Sequence, residues 1–274
     1  MSESSASETV VLIHGLWMTP RSWEKWIERF ESQGHTALAP SWPGLEKEVE
    51  AIREDPSPLK GLGVKEIADH YEGIIRELDR PPIIIGHSFG GLITQLLLDR
   101  GLGGAGVAIG TAPVKGVLAL PPSTLRAGWP ALRNPFGVNA LTPLSLEQFR
   151  YRFTNTYSDA QSKEVYDRYY IPGTARPLFQ AAYANFNPKA VTKVSRAKHD
   201  RAPLLLIGGD QDHISPPAIT KATRKVYAKS HSTTDMRQYA GRTHWIAGQP
   251  GWEEVADYAL EWAIAHHAAP KAVA

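Results

Sequence analysis

The sequence predicts an α/β domain, a doubly wound and mainly parallel sheet of about six strands with a helical cap inserted between two of them. Short apolar runs bounded by Gly or Pro recur along the chain, helix-like stretches with apolar residues at steps of three and four separate them, and one long interval breaks the alternation. Strands that are apolar throughout, rather than alternating, are expected where helices cover both faces of a parallel sheet.

In chain order, VVLIHG from Val10 reads as the first strand, and Trp23, Trp26, Ile27 and Phe30 as one face of the helix after it. TALAP from Thr36 is the second strand. Val64, Ile67, Ala68, Tyr71, Ile74, Ile75 and Leu78 then form a strongly amphipathic helix pattern. IIIG from Ile83 reads as strand, Leu92 to Leu98 as helix and AGVAIG from Ala105 as strand, while LLLIGG from Leu204 and a weaker DMRQY from Asp235 supply the last two strands. Between Pro121 and Arg201 there is no convincing core strand. Pro and Gly punctuation, helix-like pieces such as LSLEQFRYRF and KEVYDRYYI, and ten aromatic residues between Glu147 and Phe186 take its place. A helical excursion between two sheet strands is expected to lie over the strands' C-terminal ends. The core domain is therefore assigned to residues 1–120 and 201–274, and the cap to 121–200. Most of the cap aromatics are expected to pack a small core of their own, and a minority to face a ligand.

A chain of 274 residues suffices for one domain with an insertion. Thirty basic and 28 acidic residues leave a net charge of +2, with no basic stripe interleaved with aromatics, so no nucleic-acid partner is expected. The absence of cysteine excludes disulfides, thiolate catalysis and Cys-ligated zinc. No apolar run approaches the ~20 residues of a membrane span. The leading MSESSASET has neither the basic nor the apolar region of a secretory signal, so a cytoplasmic location is expected. Oligomeric state leaves no trace in the sequence.

The chemistry centres on IIIGHSFGGL, Ile83 to Leu92. A serine hydroxyl is a poor nucleophile until a base takes its proton, and it must project into a cleft. In GHSFG, Gly86 and Gly90 let backbone and helix approach closely, so Ser88 can occupy a strained strand-to-helix turn with its Oγ presented. A lone G-x-S-x-G carries little information, but here it follows an apolar triplet and opens a helix. On these residues and on VVLIHGLW the chain resembles the α/β-hydrolase superfamily of esterases, lipases and lactonases, from Val10 to the last helix, the cap excepted. Members commonly begin with an antiparallel hairpin before the strand ending in His-Gly. Only nine residues precede Val10, so that hairpin is expected to be missing.

Ten histidines compete for the role of base. His244, in GRTHWI, alone stands in a loop between a strand-like run and a helix, and the resemblance points to the same residue. His14 reads as a loop brace, His87 as a neighbour of the nucleophile without a catalytic role, and His213 as a loop residue. Two acids, Asp210 and Asp212, follow LLLIGG, and placement alone leaves both open. The superfamily's G-x-x-D-x-x-x-P, matched by Gly209, Asp212 and Pro216, favours Asp212. Asp210 then reads as a turn residue bonded to its own backbone, and Ser215 as the cap of the next helix. The resemblance also implies an oxyanion hole formed by the backbone N–H groups of Leu16 and Phe89. Trp17, Trp129 and Trp245 are candidates for an apolar substrate pocket.

The function implied is that of a serine hydrolase cleaving a carboxylic ester or related small acyl substrate through an acyl-enzyme at Ser88, with no metal and no organic cofactor. The same triad in the superfamily also serves lactone opening, carbon–carbon hydrolysis, cofactor-free perhydrolysis and acyl transfer, and a weakly catalytic ligand-binding receptor is a further alternative. Epoxide hydrolases and haloalkane dehalogenases are disfavoured because they carry aspartate where Ser88 stands.

Overall fold

The computed structural model describes residues 7–267. Six strands, β1 (Thr9–Ile13), β2 (Thr36–Leu38), β3 (Ile83–His87), β4 (Ala105–Ile109), β7 (Leu204–Gly209) and β8 (Thr234–Tyr239), form one sheet in the order β2-β1-β3-β4-β7-β8. Every neighbouring pair is parallel. The helices are α1 (Glu24–Ser32), α2 (Val49–Glu54), α3 (Val64–Arg76), α4 (Phe89–Asp99), α5 (Pro122–Leu132), α6 (Leu146–Phe153), α7 (Asp159–Tyr169), α8 (Arg176–Ala182), α9 (Pro217–Val226) and α10 (Trp252–His266).

The side-chain alternation of a strand sorts this sheet into two cores. Val10 and Leu12 of β1 pack with Trp26 and Phe30 of α1 and with Val255, Ala259 and Trp262 of α10. Val11 and Ile13 pack on the opposite face with Ile67 and Tyr71 of α3, Leu92 and Leu96 of α4, and Ile219 of α9. With both faces covered, β3 and β4 are buried at every residue, which is why their sequences run apolar without alternation. Edge strand β8 is half-buried from Thr234 to Gln238, which accounts for its weak sequence signal.

Residues 121–200 contain α5 to α8 and a two-stranded antiparallel ribbon of β5 (Leu141–Thr142) and β6 (Gly173–Thr174), separate from the main sheet. α6 and α7 each open on a capping box, Ser145 with Gln148 and Ser158 with Gln161. Phe149, Phe153, Tyr169 and Tyr170 do not form a core of their own. They join the cluster on the α3–α4 face of the sheet, a departure from the expectation of a second small core.

The chain reverses direction across the sheet at β1, which leads to β2 on one side and then to β3 on the other. In a doubly wound sheet this switch point opens a crevice beyond the strands' carboxyl ends. The loop after β1 and the turn after β3 border it.

Candidate active site

Ser88 is held at φ 56°, ψ −118°, outside the regions an ordinary side chain adopts. Three backbone bonds hold it there: its N–H donates to Ile109 O (2.9 Å), and its carbonyl accepts from Ala112 N–H (3.0 Å) and from Leu92 N–H (3.2 Å). The turn is sharp because α4 begins at once and runs its first residues against β1. A Cβ on Gly90 would lie 2.0 Å from Ile13 O, and one on Gly86 would lie 2.1 Å from Gly90 O, so both positions admit only glycine.

His244 lies in the loop after β8 and is fully buried. Its Nε2 lies 3.0 Å from Ser88 Oγ, and its Nδ1–H donates to Asp212 Oδ2 at 2.7 Å. The carboxylate thus fixes the proton on Nδ1 and leaves Nε2 to accept from the serine hydroxyl. Asp212, in the loop after β7, is also buried, and its other oxygen accepts from the N–H groups of Ile214 (2.7 Å) and Ser215 (2.8 Å). Those two bonds turn the carboxylate inward.

Asp210 faces outward. Its carboxylate accepts from Gly241 N–H (2.7 Å), so it bonds to the turn after β8 rather than to its own backbone, as the sequence had suggested. Ser215 likewise departs from the expected cap: α9 starts after Pro216 without a side-chain cap, and the Ser215 hydroxyl donates to Thr111 O (2.9 Å). It ties the acid's loop to the segment after β4.

The loop after β1 lies against the serine, since a Cβ on Gly15 would stand 2.8 Å from Ser88 Cβ. Among the described residues, neither the Leu16 N–H nor the Phe89 N–H donates to a protein acceptor. Phe89 is the first residue of α4, where N–H groups lack an intrahelical acceptor and the helix dipole favours negative charge.

Two further buried histidines stay neutral. Burial pushes His14 down to about 4. Its Nδ1–H donates to Gly15 O (3.0 Å), its Nε2 accepts from Trp42 N–H (3.3 Å), and its ring stacks on Trp42, so it does brace the loop. His87 is held well below its ordinary value by burial and by the neighbouring His244. Its Nε2–H donates to the backbone carbonyl of His244 at 2.8 Å, tying the residue before Ser88 to the loop opposite. His213 donates to Tyr151 O (2.9 Å) and lies against the Tyr151 ring.

Of the three tryptophans named from sequence, Trp17 and Trp245 are buried and Trp129 is not. Trp17 donates its indole N–H to Thr142 O (2.8 Å) and meets the Phe153 ring edge-on, while Trp245 packs on Tyr169. Trp129 is 64% exposed on α5, in a groove with Arg126 and Tyr151. Phe153, which no sequence signal singled out, has its ring centre 5.2 Å from that of His244, and its carbonyl accepts from Trp245 N–H (3.1 Å). Among the described residues no three His, Asp or Glu side chains converge as a metal site requires, and no helix is long and apolar enough to cross a membrane.

A parallel six-stranded sheet with a sharp serine turn at its carboxyl edge is the architecture of an α/β hydrolase. Comparison with known proteins gives the same class: the chain matches the alpha/beta hydrolase family over residues 10–258, and it belongs to that family. No curated protein matches it significantly. Among solved structures it is similar to a monoacylglycerol lipase from Paleococcus ferrophilus, at 22% identity over 94% of each chain with a TM-score of 0.64. It is also similar to an extracellular α/β-hydrolase from a Paenibacillus species, at 20% identity over 93% of this chain and 98% of that one with a TM-score of 0.66. A thermophilic esterase from Thermogutta terrifontis is 16% identical over 95% of this chain and 91% of its own, also with a TM-score of 0.66. At such identities the likeness is one of fold.

Proposed function

We propose that the protein is a carboxylic ester hydrolase in which Ser88 is the nucleophile, His244 the base and Asp212 the residue that orients it. The observation that carries this reading is the unbroken relay from Ser88 Oγ through His244 to Asp212, at 3.0 and 2.7 Å. His244 Nε2 takes the hydroxyl proton as Oγ bonds to the acyl carbon, and the carbonyl electrons move onto oxygen. The N–H groups of Leu16 and Phe89 receive that oxyanion, each worth roughly 2.7–4 kcal/mol to the transition state. Collapse breaks the ester C–O bond as His244 returns the proton to the leaving alcohol oxygen. A water deprotonated by His244 then releases the acid and restores Ser88.

Residues 121–200 act as the cap over this site. The support is that the Phe153 ring, at the end of α6, contacts both the His244 ring and the Trp17 ring. Trp17 and Trp245 then wall the acyl pocket, and Trp129 lies outside it. The relatives named above as a lipase and an esterase favour an ester over a lactone or carbon–carbon bond as the substrate.

A fluorophosphonate probe is expected to label the native protein and to leave Ser88→Ala unlabelled, with turnover of a p-nitrophenyl ester series from acetate to decanoate following the same pattern. A native protein that neither labels nor turns over any member of the series points instead to a ligand-binding role.

A further inference from the structure

A groove of about 500 Å³ lies between α5 and α6, lined by Leu125, Arg126, Trp129, Pro130, Tyr151 and Arg152 among others. Leu125 and Trp129, one helical turn apart, are 53% and 64% exposed, so α5 presents an apolar stripe to solvent here. Beside that stripe stand two cations. The Arg126 guanidinium lies 4.1 Å over the Tyr151 ring, which covers one of its faces and leaves its N–H edge free. Arg152 is only 3% exposed. It donates to Ala127 O from Nε (3.1 Å) and Nη2 (2.5 Å), donates to Gln148 O from Nη1 (2.8 Å), and lies 5.9 Å over the Trp17 ring.

Among the described residues no carboxylate pairs with either arginine. Carbonyl acceptors satisfy three of the five guanidinium N–H groups of Arg152 but do not neutralise its charge, and a buried charge without a counter-ion is costly. Burial, with the repulsion of Arg126 added, holds Arg152 down to about 10. Glu147 lines the same groove but is exposed and pairs with neither arginine. The groove therefore combines an apolar wall with uncompensated positive charge, the complement of an amphipathic anion.

We propose that this groove is a binding site, separate from the catalytic serine, for a carboxylate carried on an apolar body. The head pairs with the exposed Arg126, with the buried charge of Arg152 behind it, and the body lies on Trp129 and Leu125. The proposal does not depend on ester hydrolysis at Ser88, so its test uses the Ser88→Ala protein. Calorimetric titration with 4-phenylbutyrate is compared with titration by its uncharged analogue 4-phenylbutyramide. The carboxylate is expected to bind at least tenfold more tightly than the amide. Arg126→Gln, a change at an exposed position, should weaken the carboxylate at least fivefold and leave the amide unchanged, and Trp129→Ala should weaken both. Glu147→Gln, which removes the nearby competing carboxylate, should bind no less tightly than the parent. Equal affinities for acid and amide, undetectable binding of the acid, or an Arg126→Gln protein that binds like its parent would each overturn the proposal. In the last case the ligand sits elsewhere, the catalytic cleft included.

Discussion

Replacing Asp212 by Asn tests the orientation of His244 more sharply than removing the acid altogether. Asn keeps the volume of a side chain that is 2% exposed, so the loop has no cavity to collapse into. The amide has one acceptor and one donor where the carboxylate had two acceptors. Ile214 and Ser215 both present N–H groups to one oxygen, at 2.7 and 2.8 Å, so the amide oxygen must face them. The opposite orientation would set an NH2 against two donors and strand both of them in the interior, at about 1–3 kcal/mol each. The amide NH2 is therefore directed at His244 Nδ1, now 2.7 Å away, and donates to it. The imidazole is forced to carry its proton on Nε2, where it cannot accept the Ser88 hydrogen. A wrong tautomer of this kind costs about 10⁴ in kcat, or about 5.5 kcal/mol of transition-state stabilisation. Asp210→Asn, by contrast, alters only the bond to Gly241 N–H at the surface and should retain activity within about threefold, since an amide oxygen still accepts there. The assay is kcat/KM on p-nitrophenyl acetate for both variants, with melting temperatures to show that each is folded. A folded Asp212→Asn protein within tenfold of the parent, or an Asp210→Asn protein that loses more, would refute the assignment.

Two further outcomes follow from the packing around the turn. Gly90→Ala places a methyl carbon 2.0 Å from Ile13 O, and neither backbone can withdraw without separating α4 from β1. A loss of at least about 3 kcal/mol in urea unfolding is expected, and a loss under 1 kcal/mol would mean that the turn is looser than described. The pH dependence of stability follows from His14, which remains neutral in the folded chain down to about 4 while the unfolded chain takes up its proton near the ordinary 6.5. Its folded value is depressed, so the contribution is complete above the unfolded value and is lost as pH falls toward the folded one. That amounts to roughly 3 kcal/mol between pH 7 and 4, with the buried His87 acting in the same direction. Urea midpoints measured across this range should fall less steeply for His14→Gln than for the parent, and parallel curves would exclude His14 as the cause.

The strands were legible because burial on both faces leaves a continuous apolar run, and β8 was faint because an edge strand needs no such run. Ser88 and His244 could be read for a related reason: each sits where a strand pattern gives way to a helix pattern, and such transitions are local features of sequence. The choice between Asp210 and Asp212 was not local. Both follow the same strand end, and what separates them is that Ile214 and Ser215 turn one carboxylate inward while Gly241 holds the other at the surface. Phe153 and Arg152 were illegible for a stronger version of this reason. Their periodicity marks a helix face, but the partners of that face, His244, Trp17 and Ala127, are set by how α6 docks across the chain.

The residues of the proposed relay are divided among strand ends. β1 delivers the loop of Leu16, β3 delivers Ser88, and β7 and β8 deliver Asp212 and His244. The segment after β4 joins them, through Ser88 N–H on Ile109 O and the Ser215 hydroxyl on Thr111 O. Parallel register fixes these ends relative to one another before any cap residue is placed, so the distances of the relay are a property of the sheet. Residues 121–200 meet this assembly at several points: the Phe153 ring centre lies 5.2 Å from that of His244 at a tilt of 59°, the Phe153 carbonyl accepts from Trp245 N–H, and the Thr124 hydroxyl donates to Ile214 O (2.9 Å). None of these is a bond to the Ser88, His244 or Asp212 side chain. Under the proposed role of residues 121–200 as a cap, changes in α5 to α8 would reshape what reaches Ser88 while leaving the relay in place.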